Sequence, residues 1–291
     1  MNSLRKFVLL LLTAAALSGC SGARIAYNNA DTALRWMADD YFALEGAQLE
    51  DFKLRLAGFH AWHRSEELPR YSAQMAGAAG MLADGLTRQE LLWAWDSVIA
   101  AYRRLATQAA PDLAAVLARL SPAQFQRLEQ KFAESNAEYA NKHLSGSVAA
   151  QRARRDKRNL ELMQEWFGDL SDTQEAQLQA ASAALPLLYA LRLENRQRRQ
   201  REFLALLKSQ RSAAGLEPGL RRWLSDWEGG VSPEYRRLGD LHREQYMQML
   251  LELDRGLAPA QRAHAAARLF EYANLFAALA GESKLARLAT D

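Results

Sequence analysis

The sequence lacks the paired cysteines that stabilise small secreted domains and the motifs that mark the common enzyme families. It contains one cysteine in 291 residues, so no disulfide can form within the chain. It has no phosphate-binding loop, no dinucleotide-binding fingerprint and no Gly-x-Ser-x-Gly nucleophile motif. After residue 17, no apolar run approaches the ~18 residues that a membrane-spanning helix needs. These absences argue against a disulfide-stapled domain, a multi-span membrane protein and the enzymes that carry those motifs.

Residues that favour β-strands are also scarce, whereas good helix formers such as Ala, Leu, Arg, Gln and Glu are abundant. Large apolar residues recur at helical spacing, as in the series Leu91, Trp95, Val98, Tyr102 and Leu105. Apolar helix faces of this kind must pack against one another to be shielded from water. We therefore predict an all-α fold, an elongated multi-helix bundle over residues 29–291.

Prolines and glycines predict where the helices end. We expect breaks at Pro69 and Pro111, at residues 145–147 and between Gly215 and Gly219. Pro186 lies inside a long helical pattern at 172–210 and should either kink or split it. If the body has two domains, we expect the boundary near 145–147 or 211–219.

The N-terminus has the pattern of an export signal. Arg5 and Lys6 precede an almost wholly apolar stretch, Phe7 to Leu17, that is too short to span a membrane. Without these two basic residues, lysines and arginines outnumber the 34 acidic residues by only one. Overall charge therefore gives no support to nucleic-acid binding.

The end of this signal, Leu17-Ser18-Gly19-Cys20, resembles the lipobox of bacterial lipoproteins. The resemblance implies removal of residues 1–19 and attachment of lipid, such as palmitate, to Cys20, followed by a short tether at 20–28. With Ser21 in place of Asp, it also implies sorting to the bacterial outer membrane, with the body facing the periplasm. An ordinary cleaved signal with an unmodified cysteine is the alternative. We expect no cofactor other than this covalent lipid.

A short pattern recurs along the chain: a leucine, a hydroxyl residue, two variable positions, then Gln or Glu. In a capping box, the hydroxyl accepts from the third amide of the helix and the Gln or Glu side chain accepts from the cap amide. Leu257 to Gln261 keeps the leucine and glutamine but lacks the hydroxyl. The pattern predicts helix caps at Thr87, Ser121 and Ser171.

Two family resemblances follow from these and other stretches. The recurring pattern resembles the L-[ST]-x-x-Q motif of small helical periplasmic stress proteins, which include an ATP-independent chaperone. The stretches at 26–48, 61–71 and 155–174 resemble an uncharacterised family of proteobacterial lipoproteins, known as a domain of unknown function. The second resemblance covers most of the mature chain and implies fold and compartment, but it transfers no catalytic residue.

One histidine-containing segment is a weak candidate for metal binding or hydrolytic chemistry. His60 and His63 are one helical turn apart, and Glu67 is one further turn along, so the three could face one metal ion. The alternative is that these side chains pair with neighbours at a solvated helix end. We otherwise predict no metal site and no catalytic residue.

Two arginine-rich tracts are candidates for binding anionic partners. One tract runs from Arg152 to Arg158, and the other from Arg192 to Arg201. Guanidinium groups on one helix face suit lipid headgroups, lipopolysaccharide phosphates or acidic peptidoglycan. The alternative is a solubilising face balanced by acidic helices. The candidate residues are Arg152, Arg155, Arg158, Arg192, Arg196 and Arg199.

Together these features favour a periplasmic lipoprotein that acts by binding, by scaffolding or as a chaperone-like module. Its partners would be the membrane through the lipid anchor, and either unfolded-protein clients or anionic envelope polymers. We expect no nucleic-acid partner. The alternative function is a metal-binding or hydrolytic envelope enzyme centred on His60, His63 and Glu67.

Overall fold

The computed structural model describes the backbone of residues 19–288 and the side chains of residues 22–282. Helices account for most of this range and no strand occurs within it, which confirms the all-α prediction. The helices are α1 (Gly19–Asn28), α2 (Ala30–Phe42), α3 (Gly46–Trp62), α4 (Leu68–Asp84), α5 (Arg88–Leu117), α6 (Pro122–His143), α7 (Val148–Phe167), α8 (Asp172–Ala184), α9 (Tyr189–Ser209), α10 (Ala213–Ser225), α11 (Pro233–Arg255) and α12 (Pro259–Leu288).

The segment predicted to be an export signal, except Gly19, lies outside the described residues, as does the side chain of Cys20. The backbone of residues 20–28, expected to be a tether, forms most of α1. Within the described range, no helix is both long and apolar enough to cross a membrane.

The chain divides into two compact units. Of the described residues, unit 1 comprises those up to 77 and those from 269 onward, and unit 2 comprises residues 78–268. The boundaries therefore lie inside α4 and α12, not near 145–147 or 211–219. The link at 211–212 only reverses the chain between α9 and α10, two helices that pack against each other within unit 2.

Unit 1 is held together by an apolar cluster between α4 and the last part of α12. Leu68 and Leu279 are almost fully buried there, and the ring of Tyr71 meets Phe276 edge-on at 6.0 Å. The hydroxyl of Ser72 donates to the carbonyl of Ala273 at 2.8 Å. These contacts fix α4 against α12 inside this unit.

A π turn (His63–Glu67) joins α3 to α4, so the predicted break at Pro69 is wrong. The amide of Leu68 donates to the carbonyl of His63, five residues earlier. In an α-helix a proline ring clashes with the carbonyl four residues before it. The wider turn just ahead of Pro69 lets the chain continue as helix.

The core of unit 2 lies where α8 packs against α7 and α11. Its buried members come from these three helices and from the turns that follow α8 and α11: Met163, Leu178, Leu185, Met249, Leu253 and Leu257. The predicted helix at 172–210 is split, since α8 ends at Ala184 and α9 starts at Tyr189. Pro186 therefore separates two helices.

α5 departs from the sequence prediction in two ways. Trp95, Val98 and Tyr102 were expected in the core but are 46%, 65% and 39% exposed. α10 packs closely along α5, and the buried side of α5 carries alanines such as Ala106 and Ala110, which permit close approach. The sequence prediction placed the large apolar side chains of α5 in the core, whereas the contact between α5 and α10 is formed by small side chains.

The second departure is that α5 continues through Pro111 to Leu117. A proline lacks the amide that would pair with the carbonyl four residues earlier, here that of Thr107. The guanidinium of Arg221 on α10 donates to that carbonyl at 3.1 Å. The contact between α5 and α10 thus provides a hydrogen bond to the Thr107 carbonyl, which Pro111 leaves without its usual backbone donor. α10 likewise runs through Gly215 and Gly219, where a break was predicted.

The repeated pattern marks helix starts. Thr87, Ser121 and Ser171 each form a capping box, with both reciprocal hydrogen bonds present. At the fourth site, the Gln261 side chain accepts from the amide of Ala258 at 2.9 Å although the hydroxyl is missing. Each cap of this kind stabilises its helix by about 1 kcal/mol.

Two of these capping glutamines also bind each other. The side-chain nitrogen of Gln174 donates to Gln261 at 2.8 Å, and that of Gln261 donates back at 3.0 Å. Gln174 further donates to the carbonyl of Gly256, and Gln261 to that of Asp169. The pair ties the start of α8 to the start of α12.

A buried ion pair, Asp254 with Arg262, joins the end of α11 to the start of α12. Asp254, 6% exposed, accepts from Arg262 at 2.5 Å and from the amide of Leu86 at 2.9 Å. Arg262 also donates to the carbonyl of Leu82 at 3.2 Å. Between these anchor points, Gly85 has a φ of +95°, a conformation that favours glycine. We call residues 254–262, with the groups that they bind, the polar junction.

We predict that Asp254→Ala lowers the free energy of unfolding by about 3 kcal/mol, because it leaves the partly buried guanidinium of Arg262 without its carboxylate. Chemical denaturation followed by circular dichroism measures the loss. Asp240→Ala on the same helix removes only a surface ion pair to Arg243 and should cost less than about 1 kcal/mol. Equal losses for the two variants would contradict the role given to the polar junction.

Candidate binding sites

The structure separates the six candidate arginines into those used inside the fold and those facing outward. Arg155 is buried, donates to the carbonyl of Leu185 at 2.5 Å and pairs with Asp156. Arg199 donates to the carbonyls of Trp223 and Asp226 and lies 4.5 Å over the Trp223 ring. Both side chains therefore have partners inside the fold.

The other four lie at the surface of unit 2. Arg196 is held by the side chains of Asn136 and Ser135. Arg152 is exposed near the start of α7. Arg158 and Arg192 are exposed as well, and neither forms an ion pair with any carboxylate of the described chain. These last two remain available to a ligand.

Arg158 of α7 and Arg192 of α9 both act on His143 at the end of α6. The charge of each lowers the pKa of His143, as do the charges of Lys142 and Arg154. Arg154 also donates to the carbonyl of Ser145 in the turn between α6 and α7, at 2.6 Å. We call this set the basic cluster: Lys142, His143, Arg154, Arg158 and Arg192.

Tyrosine rings hold His143 within the basic cluster. Its imidazole stacks on Tyr189 with centroids 4.9 Å apart and contacts Tyr139 at 4.6 Å. Burial is the main cause of its lowered pKa, and the surrounding cations lower it further. His143 is consequently neutral at pH 7, with its protonation opposed by neighbouring positive charge.

Arg192 of α9 acts electrostatically on histidines of two other helices. Its charge lowers the pKa of His143 on α6 and of His242 on α11, although burial is the largest cause of both shifts. It also acts on Tyr139, whose pKa burial raises and Arg192 lowers. Sequence reasoning included Arg158 and Arg192 but missed Lys142 and His143. The only feature of the sequence that could have indicated Lys142 and His143 is their position just before the predicted turn at 145–147.

The histidine segment in unit 1 is arranged differently from a metal site. The hydroxyl of Tyr27 hydrogen-bonds Nδ1 of His63 at 2.8 Å, so that nitrogen is already engaged. Glu67 is fully buried and pairs with Arg70 at 3.3 Å. Within the described part of the chain, no group of three or more histidine, cysteine or acidic residues is placed to hold a metal ion.

Both histidines are neutral at pH 7. Burial lowers the pKa of His60, and the charge of Arg64 lowers it further. Burial also lowers the pKa of His63, against an opposing effect from Glu67. The Nε2 atom of His60 is buried with no hydrogen-bond partner among the described residues.

Comparison with known proteins identifies a family but no activity. The model of a family of unknown function, DUF6279, matches residues 40–236, which is more than half of the chain. No curated protein and no solved structure gave a significant match.

Proposed function

We propose a function for this chain, which belongs to the family of unknown function DUF6279. We infer that it is an outer-membrane lipoprotein. Its helical body binds an anionic partner in the periplasm and catalyses no reaction. Lipidation at Cys20 is supported by the basic start, the apolar stretch and the Leu-Ser-Gly-Cys ending of the first 20 residues. Ser21 supports the outer membrane as the destination.

The observation that carries the binding function is the basic cluster. Three arginines and one lysine from α6, α7 and α9 all act electrostatically on His143. The stacking of His143 on Tyr189 brings the end of α6 to the start of α9, and Arg154 binds the turn between α6 and α7. Like charges brought together repel one another, and a bound anion removes that repulsion. Guanidinium groups offer paired donors that match phosphate and carboxylate oxygens. A phosphate-bearing lipid or polysaccharide of the envelope has the matching chemistry.

We predict that the body, residues 21–291, binds vesicles containing phosphatidylglycerol and releases them as salt rises. Arg158→Gln with Arg192→Gln should weaken binding at least tenfold, since each lost charge-assisted contact contributes about 1.5 kcal/mol or more. Co-sedimentation with vesicles measures the affinity.

The matched control is Arg201→Gln with Arg211→Gln, which removes two exposed arginines outside the basic cluster. It changes net charge equally and should leave most of the affinity. If both double variants lose binding to the same extent, attraction is due to overall charge and the basic cluster is not a site.

A chaperone-like role is a second candidate, favoured by the exposed row on α5. Trp95, Val98 and Tyr102 share one side of the helix at helical spacing. Arg243 lies 5.9 Å from the Trp95 ring, and Tyr102 packs at 4.8 Å against Trp227, which Arg103 flanks. An apolar strip bordered by arginines suits segments of unfolded protein.

We predict that the body slows aggregation of a chemically unfolded client at near-stoichiometric ratio, measured by light scattering. Val98→Ser should weaken the effect several-fold by placing a polar group within the strip. Val148→Ser, at an exposed valine of α7, is the matched control and should act like the unchanged protein. No protection at several-fold excess in low salt would remove this candidate.

A further inference from the structure

Unit 1 contains a cavity of about 310 Å³ next to the π turn. It opens between α2, α3, the π turn and the end of α12, and its size is at the lower end for small-molecule sites. Its floor is made by Leu56, Ala57 and Ala61 of α3. Its charged walls are Asp31, Arg35, Lys53, Arg64 and Glu282.

The walls present both signs of charge. On α2, Arg35 donates to the carboxylate of Asp31 at 3.1 Å. On the π turn, Arg64 lies 3.5 Å from the carboxylate of Glu282. Lys53 adds a third cation, paired at 2.8 Å with Glu50, which does not line the cavity. A ligand with one charge only would therefore meet repulsion as well as attraction.

The remaining wall contains the unsatisfied histidine. The ring of His60 packs on Tyr27 with centroids 4.9 Å apart, and the guanidinium of Arg64 lies 5.1 Å from the centroid of the same tyrosine ring. A buried polar atom without a partner costs about 1–3 kcal/mol, so its persistence needs an explanation. Single π turns occur frequently at functional sites. Both features border the same cavity.

We propose that this cavity binds a small zwitterion, a molecule with a primary ammonium group close to a carboxylate or phosphate. The ammonium group contacts Asp31 or Glu282, and the acidic group contacts Arg35, Lys53 or Arg64. A short apolar body lies on Leu56 and Ala57. Free amino acids and the ethanolamine phosphate of lipid headgroups share this chemistry. The site is in unit 1 and does not depend on the function proposed for the basic cluster of unit 2.

The test is calorimetric titration of residues 21–291 with two zwitterions, L-alanine and ethanolamine phosphate. Ethanolamine and inorganic phosphate, each carrying one kind of charge, are the controls. We expect at least one zwitterion to bind tenfold more tightly than either control. Binding of L-alanine alone points to free amino acids, and binding of ethanolamine phosphate alone points to lipid headgroups. Either result supports the site.

Ala57→Leu fills the cavity from its floor without removing a charged group, and should weaken zwitterion binding at least tenfold. Ala47→Leu is the matched control, at another exposed alanine of α3 that does not line the cavity. Ala61→Leu repeats the test at a second floor position. The proposal is overturned if no zwitterion binds at about 10 mM, where even weak sites are detected, if the single-charge controls bind as tightly, or if filling the cavity changes nothing.

Discussion

The buried contact between Asp254 and Arg262 is the interaction on which the arrangement of unit 2 depends. It fixes the loop between α11 and α12, and through Leu82 and Leu86 it fixes the turn between α4 and α5. One loop thus sets the ends of four helices. A carboxylate in this position is stabilising because all its neighbours are donors: a guanidinium and a backbone amide.

The Gln174–Gln261 pair extends the polar junction to α8. α8 in turn positions α7, since Asn159 donates to the hydroxyl of Ser182 at 2.7 Å and Arg155 donates to the carbonyl of Leu185 that follows α8. α7 carries Arg154 and Arg158 into the basic cluster. The buried Arg155 and the exposed Arg158 therefore lie one helical turn apart, and the first holds this part of α7 in place.

The sequence predicted the features that depend on local chemistry. Helix starts at Thr87, Ser121 and Ser171 follow from side chains that reach their own backbone, so no knowledge of the rest of the fold is needed. The errors come from groups whose partners are distant in sequence. Pro111 does not end α5 because Arg221 satisfies the open carbonyl. Likewise, helical spacing shows which arginines share a helix face. Only their partners on other helices show that Arg155 and Arg199 are used inside the fold. The grouping of Lys142 and His143 with Arg158 and Arg192 also depends on three different helices.

The most direct test of the basic cluster as a phosphate site is an NMR titration with short-chain polyphosphate. The imidazole signals of residues 21–291, which contain five histidines, are followed. A phosphate bound among Lys142, Arg158 and Arg192 offsets their positive charge, so the His143 signal should shift and its pKa should rise. The NMR signal of His264, which is exposed on α12, should keep its position. An unmoved His143 at saturating polyphosphate, or equal shifts of His143 and His264, would contradict the account.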